Sequence, residues 1–321
     1  MQAGADDSGE APGAKRVAIV DIGTNSTRLL VADVDAGKVT EIERRTRVTR
    51  LGRGLELSGS LASDAIDAVC EVVAEYVAIQ QEHGAEQVVA IATSAVREAA
   101  NGEAFIAELR ERFALPARIL DGEQEALLTY RGAMAERRLS DAALVVDIGG
   151  GSTELVVGIG REPSFHTSLQ AGVVRLSERH LASDPPAPSE LDALAADVRG
   201  QIAAALEGPA PAVGLGIAVA GTPTSLAAVE QRLDPYDPAR VHGYRLAIDS
   251  IQHLLSQLAS LPLAERREVT GLDPERAPTI VAGVVILIEV MRAFALDEIE
   301  ASEHDILHGA ALEAAAARKP K

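Results

Sequence analysis

Asp147-Ile148-Gly149-Gly150-Gly151-Ser152-Thr153-Glu154 is the stretch around which the chain is organised. The apolar run Ala143 to Val146 leads into it and a second, Leu155 to Val157, leads out. That pattern predicts strand, glycine turn, strand. Consecutive glycines let backbone approach a ligand closely and aim successive N–H groups at it. Asp147 and Glu154 stand at the two ends, and carboxylates hold hard cations directly or through water. Amide nest and paired carboxylates together read as a site for Mg²⁺-bound phosphate, against the plainer reading of a hairpin with a glycine turn.

The plainer reading weakens because the pattern recurs. Asp21-Ile22-Gly23-Thr24-Asn25-Ser26 follows Val17 to Val20 and precedes Leu29 to Ala32. Both copies read Asp-Ile-Gly-x-x-Ser between apolar runs, roughly one domain length apart. A duplicated fold with two facing phosphate hairpins accounts for this.

The 321 residues suffice for two domains. With 47% hydrophobic residues, core burial is not limiting. Aromatics are 2% with no Trp, so Val, Ile, Leu and Ala must form the core. The formal charge of −18 argues against a nucleic-acid protein working by bulk electrostatics. A polyanionic substrate then needs a local positive site or metal ions. A single cysteine, Cys70, excludes an internal disulfide and fits a reducing compartment. No apolar stretch approaches the roughly 18 residues of a membrane span. The expectation is a cytoplasmic protein with no membrane and no nucleic-acid partner.

Residues 1–14 read as a loose tail. Ser63 to His83 is an amphipathic helix with Cys70 on its apolar stripe, hence in the core. Five arginines fall in Arg44 to Arg53; they suit either a solvated strand edge or guidance of a long anionic substrate. Thr93-Ser94-Ala95-Val96-Arg97 lies at a strand-to-helix junction, where Arg97 suits a local salt bridge or a phosphate. Asp121-Gly122-Glu123-Gln124-Glu125 precedes a helix expected over Ala126 to Ala135, and a carboxylate between the hairpins suits a general base on water. Further on, Ser164 to Val174 reads as strand and turn. Ser189 is the expected N-cap of the next helix, and Pro278 sits in the first turn of a buried helix, Thr279 to Phe294. His304 and His308 lack metal-ligand company and read as polar turn or helix residues.

There is no Gly-x-x-x-x-Gly-Lys-[Ser/Thr], which excludes a P-loop. The glycines after Val146 open onto a strand, not a helix, which excludes a dinucleotide-binding Rossmann turn. Paired strand-glycine-strand hairpins instead resemble the actin-like ATPase superfamily. With Thr93 to Arg97, Asp121 to Ala126, Ala220-Gly221-Thr222 and Ser302 to Gly309, the chain resembles the exopolyphosphatase/guanosine pentaphosphate phosphohydrolase (Ppx/GppA) family. The likeness runs from about Val17 to Leu312 in the same order.

The resemblance implies an α/β fold of two duplicated ribonuclease-H-like domains, mixed sheets flanked by helices, over 15–128 and 129–321. The last helix is expected to pack back on the first domain. It implies Mg²⁺-dependent (or Mn²⁺-dependent) hydrolysis of the terminal phosphate of polyphosphate, or alternatively of guanosine pentaphosphate (pppGpp). Glu125 then activates water, Asp147, Glu154 and Asp21 form the metal set, and Arg97 contacts phosphate. Thr24, Asn25, Ser26, Gly149, Gly150, Gly151, Ser152 and Thr153 supply phosphate-binding amides and hydroxyls. Three positions depart from the family pattern: Gln124 for a glutamate, Leu127 for an arginine and Pro278 for an aspartate. Chain length resembles the short, two-domain members. A homodimer placing the arginine clusters along a groove is a further expectation. The rival readings are a sugar or acyl kinase of the same superfamily, an actin-like filament and a non-hydrolytic binding protein.

Overall fold

The structure, a computed structural model, describes residues 13–137 and 139–317. The tail expected over residues 1–14 lies outside them up to residue 12.

The first half builds one five-stranded sheet from β1 (Lys15–Ile22), β2 (Ser26–Asp35), β3 (Lys38–Val48), β4 (Gln87–Ala92) and β5 (Ala117–Ile119), in the order β3-β2-β1-β4-β5. β1, β2 and β3 are antiparallel neighbours, while β4 and β5 run parallel to β1. The helices here are α1 (Leu55–Ser58), α2 (Ser63–Glu82), α3 (Ser94–Glu98) and α4 (Gly102–Phe113). A linking helix, α5 (Gly122–Met134), leads into the second half.

The second half repeats the plan. Its strands are β6 (Ala143–Ile148), β7 (Thr153–Ile159), β8 (Glu162–Leu169), β9 (Leu215–Val219), β10 (Arg245–Ala247) and β11 (Glu298–Ala301), ordered β10-β11-β9-β6-β7-β8. Again three antiparallel strands, β6 to β8, are followed by parallel additions, β9 and β11, with β10 antiparallel at the edge. Its helices are α6 (Val173–His180), α7 (Pro188–Leu206), α8 (Gly221–Glu230), α9 (Pro238–Val241), α10 (Ile248–Ser260), α11 (Leu263–Arg266), α12 (Ile280–Ala293) and α13 (Ile306–Ala316). The two mixed sheets flanked by helices are the duplicated architecture that the paired motifs predict. Among the described residues no helix is long and apolar enough to cross a membrane.

Each sheet is covered on both faces. On the first, Val69, Val73 and Tyr76 of α2 and Phe105, Ile106 and Leu109 of α4 pack on Val20, Ile22, Leu29 and Val31. Cys70 is buried in this cluster. The opposite face receives α13, whose Ile306, Leu307, Ala310 and Ala311 meet Val17, Ile19, Leu30 and Ala32. The second sheet buries one face under α7, α8, α10 and α12 and the other under Ala126, Tyr130, Ala133 and Met134 of α5. Thus α5 and α13 lie between the sheets and cross each other at glycines. A Cβ on Gly132 would come 1.9 Å from the Asp305 carbonyl oxygen, and one on Gly309 would come 1.9 Å from that of Leu128. That crossing sets the height of α5, and hence of Glu125, over the cleft.

Four local expectations need correcting. α5 begins at Gly122, not Ala126, because Asp121 and Gln124 form a capping box, Gln124 N donating to Asp121 Oδ1 at 2.8 Å. Gln124 therefore completes the cap made by Asp121, its side chain accepting from Asp121 N at 3.2 Å, and Glu125 follows it on the helix. Val173 to His180 is a helix, with Val173, Val174 and Leu176 turned inward, where strand and turn were expected through Val174. α7 starts at Pro188 rather than after a Ser189 cap, because Glu190 accepts from Ala187 N at 2.8 Å and from Ala182 N at 3.0 Å. Pro278 precedes the cap residue Thr279 and lies outside α12.

Candidate active site

The two hairpins are built alike. Asp21 pairs across the strands with Arg28, and Asp147 with Glu154. In each turn the glycine N–H donates to the serine carbonyl three residues on, Gly23 to Ser26 and Gly149 to Ser152, both at 3.0 Å. The turns meet across the gap between the halves. A Cβ on Gly150 would stand 2.9 Å from Asn25 N, and one on Gly151 would stand 2.4 Å from Ser94 Oγ. Only residues without side chains allow this approach.

A cleft of about 90 Å³ lies where the hairpins face each other. The first half contributes Asp21, Gly23 to Ser26, Arg28, Thr93 and Ser94, and the second Asp147 to Ser152, Gly221, Thr222 and Arg276. Glu125 reaches it from α5. Of the residues singled out from sequence, Asp21, Thr24, Asn25, Ser26, Glu125, Asp147, Gly149, Gly150, Gly151 and Ser152 line this space together.

Three others stand behind the wall. Thr153 is fully buried, and its hydroxyl donates to the Ala171 carbonyl, so it anchors the hairpin to the loop before α6. Arg97 donates from Nη1 to Glu125 Oε2 at 2.9 Å and to the Leu120 carbonyl at 2.8 Å. Glu154 is buried and accepts from Ser168 Oγ at 2.8 Å. Thr24 lines the cleft while its Oγ1 accepts from Ala95 N at 3.2 Å.

Four acids, Asp21, Glu125, Asp147 and Glu154, are buried close enough to influence one another. Burial pushes the Glu125 carboxyl up to about 7, against the Arg97 hydrogen bond, which favours its ionised form. Burial likewise pushes Asp147 up to about 6, despite the charge of Arg28. Glu154 is raised by burial and by the neighbouring charges of Glu125 and Asp147. Asp21 is raised by burial, with Arg28 pulling the other way. Arg28 is the missed residue at the centre. Its Nε and Nη2 donate to Asp21 Oδ2 at 2.8 and 2.6 Å, and Nη1 pairs with Asp305 from the opposite half. Asp305 is held well below the usual carboxylate range: burial pushes it up, but Arg28, His308 and Arg44 together outweigh that. The signal for Arg28 was present: aligning the two hairpins puts it at the place of Glu154. Arg276 gave no such signal. It comes from a turn-rich segment and lies against Gly221, where a side chain would collide with its guanidinium.

The donor set suits a hard cation. Asp21 Oδ1 is buried without a hydrogen-bond partner, and Asp147 and Glu154 add buried carboxylate oxygen nearby. Among the described residues no group of three or more His, Cys, Asp or Glu could hold a metal by itself. Oxygens of water or substrate would have to complete the shell, as is usual for Mg²⁺.

A second cavity of about 800 Å³ borders the cleft, the two sharing Arg28, Ala220, Gly221 and Arg276 as walls. Arg44, Arg267 and Tyr236 stand on its walls with Glu41 and Glu303. The arginine cluster therefore divides. Arg44 faces this cavity, paired with Glu41 at 2.6 Å and Glu303 at 3.5 Å. Arg45, Arg47 and Arg53 are exposed and paired with Glu43, Glu75 and Asp64. His304 lies in the segment just before α13 and His308 on the helix itself, as expected. Their rings stack at 4.2 Å, with His242 stacked on His304 at 4.3 Å. His308 is buried, its Nε2 lying 3.2 Å from Glu41 Oε1.

Comparison with known proteins agrees with this geometry. The sequence profile of the Ppx/GppA phosphatase family matches residues 30–316. Exopolyphosphatase 2 of Mycobacterium tuberculosis is 36% identical over 312 residues, covering 92% of this chain and 98% of that protein. A crystal structure of the Aquifex aeolicus Ppx/GppA family member superposes with a TM-score of 0.80 at 31% identity, covering 94% of this chain and 97% of the other. A crystal structure of an exopolyphosphatase-like protein gives a TM-score of 0.89 at 33% identity, covering 94% and 98%. With its duplicated sheets, paired glycine turns and match over most of its length, the chain belongs to the Ppx/GppA phosphatase family.

Proposed function

We propose that this protein is a phosphoanhydride hydrolase that removes the terminal phosphate of inorganic polyphosphate. The observation that carries the reading is the step in size along the cleft. The inner space of about 90 Å³ has room for roughly six to nine waters at about 10–15 Å³ each, and is the seat assigned to one phosphoryl group. Beside it, across the shared wall of Arg28, Gly221 and Arg276, lies a cavity of about 800 Å³. One phosphate fits inside, and the rest of an anionic chain runs outward past Arg28, Arg276 and Arg44.

The residues suit in-line hydrolysis. Backbone amides of Gly149 to Ser152 and the turn at Thr24, Asn25 and Ser26 bind the terminal phosphate oxygens from opposite sides. Glu125 takes a proton from a water held beside that phosphate. The water oxygen bonds to phosphorus as the bridging P–O bond breaks, and the shortened chain leaves as an anion. Arg97 orients Glu125 and favours its ionised form. Asp147 and Glu154, with Asp21, are the residues that would hold Mg²⁺ or Mn²⁺, which supplies positive charge against the phosphate oxygens when bound.

The breadth of the outer cavity, with Tyr236 on its wall, supports a second reading, removal of the 5′-terminal phosphate of pppGpp by the same groups. Phosphate release from long-chain polyphosphate, tripolyphosphate and pppGpp, measured side by side, tests both. Faster release from polyphosphate is expected. Release from pppGpp alone would replace the first reading by the second, and ADP formation dependent on an added acceptor would replace both by a kinase.

A further inference from the structure

Two hydroxyls outside the cleft lining hold the carboxylates of the second hairpin. Thr129 lies four residues after Glu125 on α5, so both side chains face the same way. Its Oγ1 donates to Asp147 Oδ2 at 3.1 Å, and the residue is buried. A helical Ser or Thr commonly turns its hydroxyl back to the carbonyl four residues earlier. Ser177, Thr224 and Ser256 do so here, bonding Val173, Ala220 and Gln252. The Thr129 hydroxyl goes to Asp147 instead. On the other side Ser168 of β8 stands directly opposite Glu154 in register, and its Oγ donates to Glu154 Oε1 at 2.8 Å. Asp147 is thus held by a hydroxyl from α5 and Glu154 by one from β8, the Ser152 hydroxyl of the turn itself also favouring the ionised Glu154.

We propose that Thr129 and Ser168 are positioning residues for the cation, acting through Asp147 and Glu154. The inference rests on the reading of these two acids as cation ligands. A hydroxyl donating to one oxygen of a carboxylate fixes the plane in which the other can meet a metal, and losing such an outer partner typically weakens metal binding by about 10–100-fold. Because Thr129 shares a helix face with Glu125, it also ties the cation site to the water-activating residue.

The test uses the full chain without substrate. Mn²⁺ binding is measured by electron paramagnetic resonance for the wild type, Thr129→Val, Thr129→Ser and Ser168→Ala, with KM for polyphosphate at saturating Mn²⁺ alongside. Thr129→Val and Ser168→Ala should each weaken Mn²⁺ binding by roughly tenfold and leave that KM unchanged, while Thr129→Ser should restore affinity. Wild-type Mn²⁺ affinity in both hydroxyl-free variants would overturn the proposal. Ser168 is only half-buried, so its variant decides the matter should Thr129→Val fail to fold. A wild-type chain that binds no Mn²⁺ would overturn the cation reading and this proposal together. A wild type that binds Mn²⁺ but releases no phosphate would overturn the hydrolase reading alone.

Discussion

Arg28 occupies in the first hairpin the position that Glu154 occupies in the second. Each stands directly across the strands from the aspartate that opens its turn. The substitution divides the labour of two otherwise matching turns. In the first, Asp21 is bonded by its own cross-strand arginine, which also reaches Asp305 of the other half. In the second, Asp147 and Glu154 are two acids facing one another, the pair to which the proposed function gives the cation.

Arg28→Ala should destabilise the chain by about 3–5 kcal/mol, since it leaves Asp21 and Asp305 buried without their positive partner. Urea unfolding measures it. A change below about 1 kcal/mol, the range of exposed ion pairs, would show that the cross-half pair does not hold the lobes.

Gly309→Ala should cost about 1–3 kcal/mol or more by overpacking, because its Cβ would meet the Leu128 carbonyl. It should also lower turnover, since α5 carries Glu125. Gly200, on α7, has open space around it, so Gly200→Ala should instead be neutral or stabilising by up to about 1 kcal/mol. Thermal unfolding of the two variants side by side checks the contrast.

To act as the proposed general base, Glu125 must be ionised. With its carboxyl raised to about 7, kcat/KM should climb from pH 5 and level off above pH 7. Arg97 lowers the Glu125 pKa, so Arg97→Ala should move this limb to higher pH. An unmoved limb would detach Arg97 from the base.

Divalent cations should stabilise the fold more at pH 8 than at pH 5. Folding raises the carboxyls of Glu125, Asp147 and Glu154. For Glu125 and Asp147 that contribution to stability is therefore fully present below the ordinary carboxylate range and is lost as pH rises through about 6 to 7. A cation that binds the ionised acids offsets that loss, by about 2.7 kcal/mol at a hundredfold excess over Kd. Melting temperatures with Mg²⁺ and with EDTA at the two pH values give the comparison. An equal Mg²⁺ effect at both would separate the cation from these acids.

The duplicated fold was legible because each Asp-Ile-Gly-x-x-Ser turn is a local event, set by apolar runs and one glycine. Glu125 was legible through its motif, although its helix began four residues early, the Asp121–Gln124 cap reading as a plain acidic loop. Thr153 shows where motif reading stops. It opens β7, whose first six residues are all buried, and its hydroxyl goes to Ala171. Arg276, Asp305 and the His242–His304–His308 stack reach their places only through tertiary crossings of segments far apart in sequence. Periodicity within one segment carries no trace of those.

Phosphate release from long-chain polyphosphate by wild type and Glu125→Gln, with substrate binding measured on both, tests the central claim most directly. The wild type should release monophosphate progressively, and the variant should bind polyphosphate comparably while turning over roughly 10²–10⁴-fold more slowly. Equal turnover in the two proteins would contradict the assignment of Glu125, and cleavage into internal fragments would contradict the terminal-phosphate site.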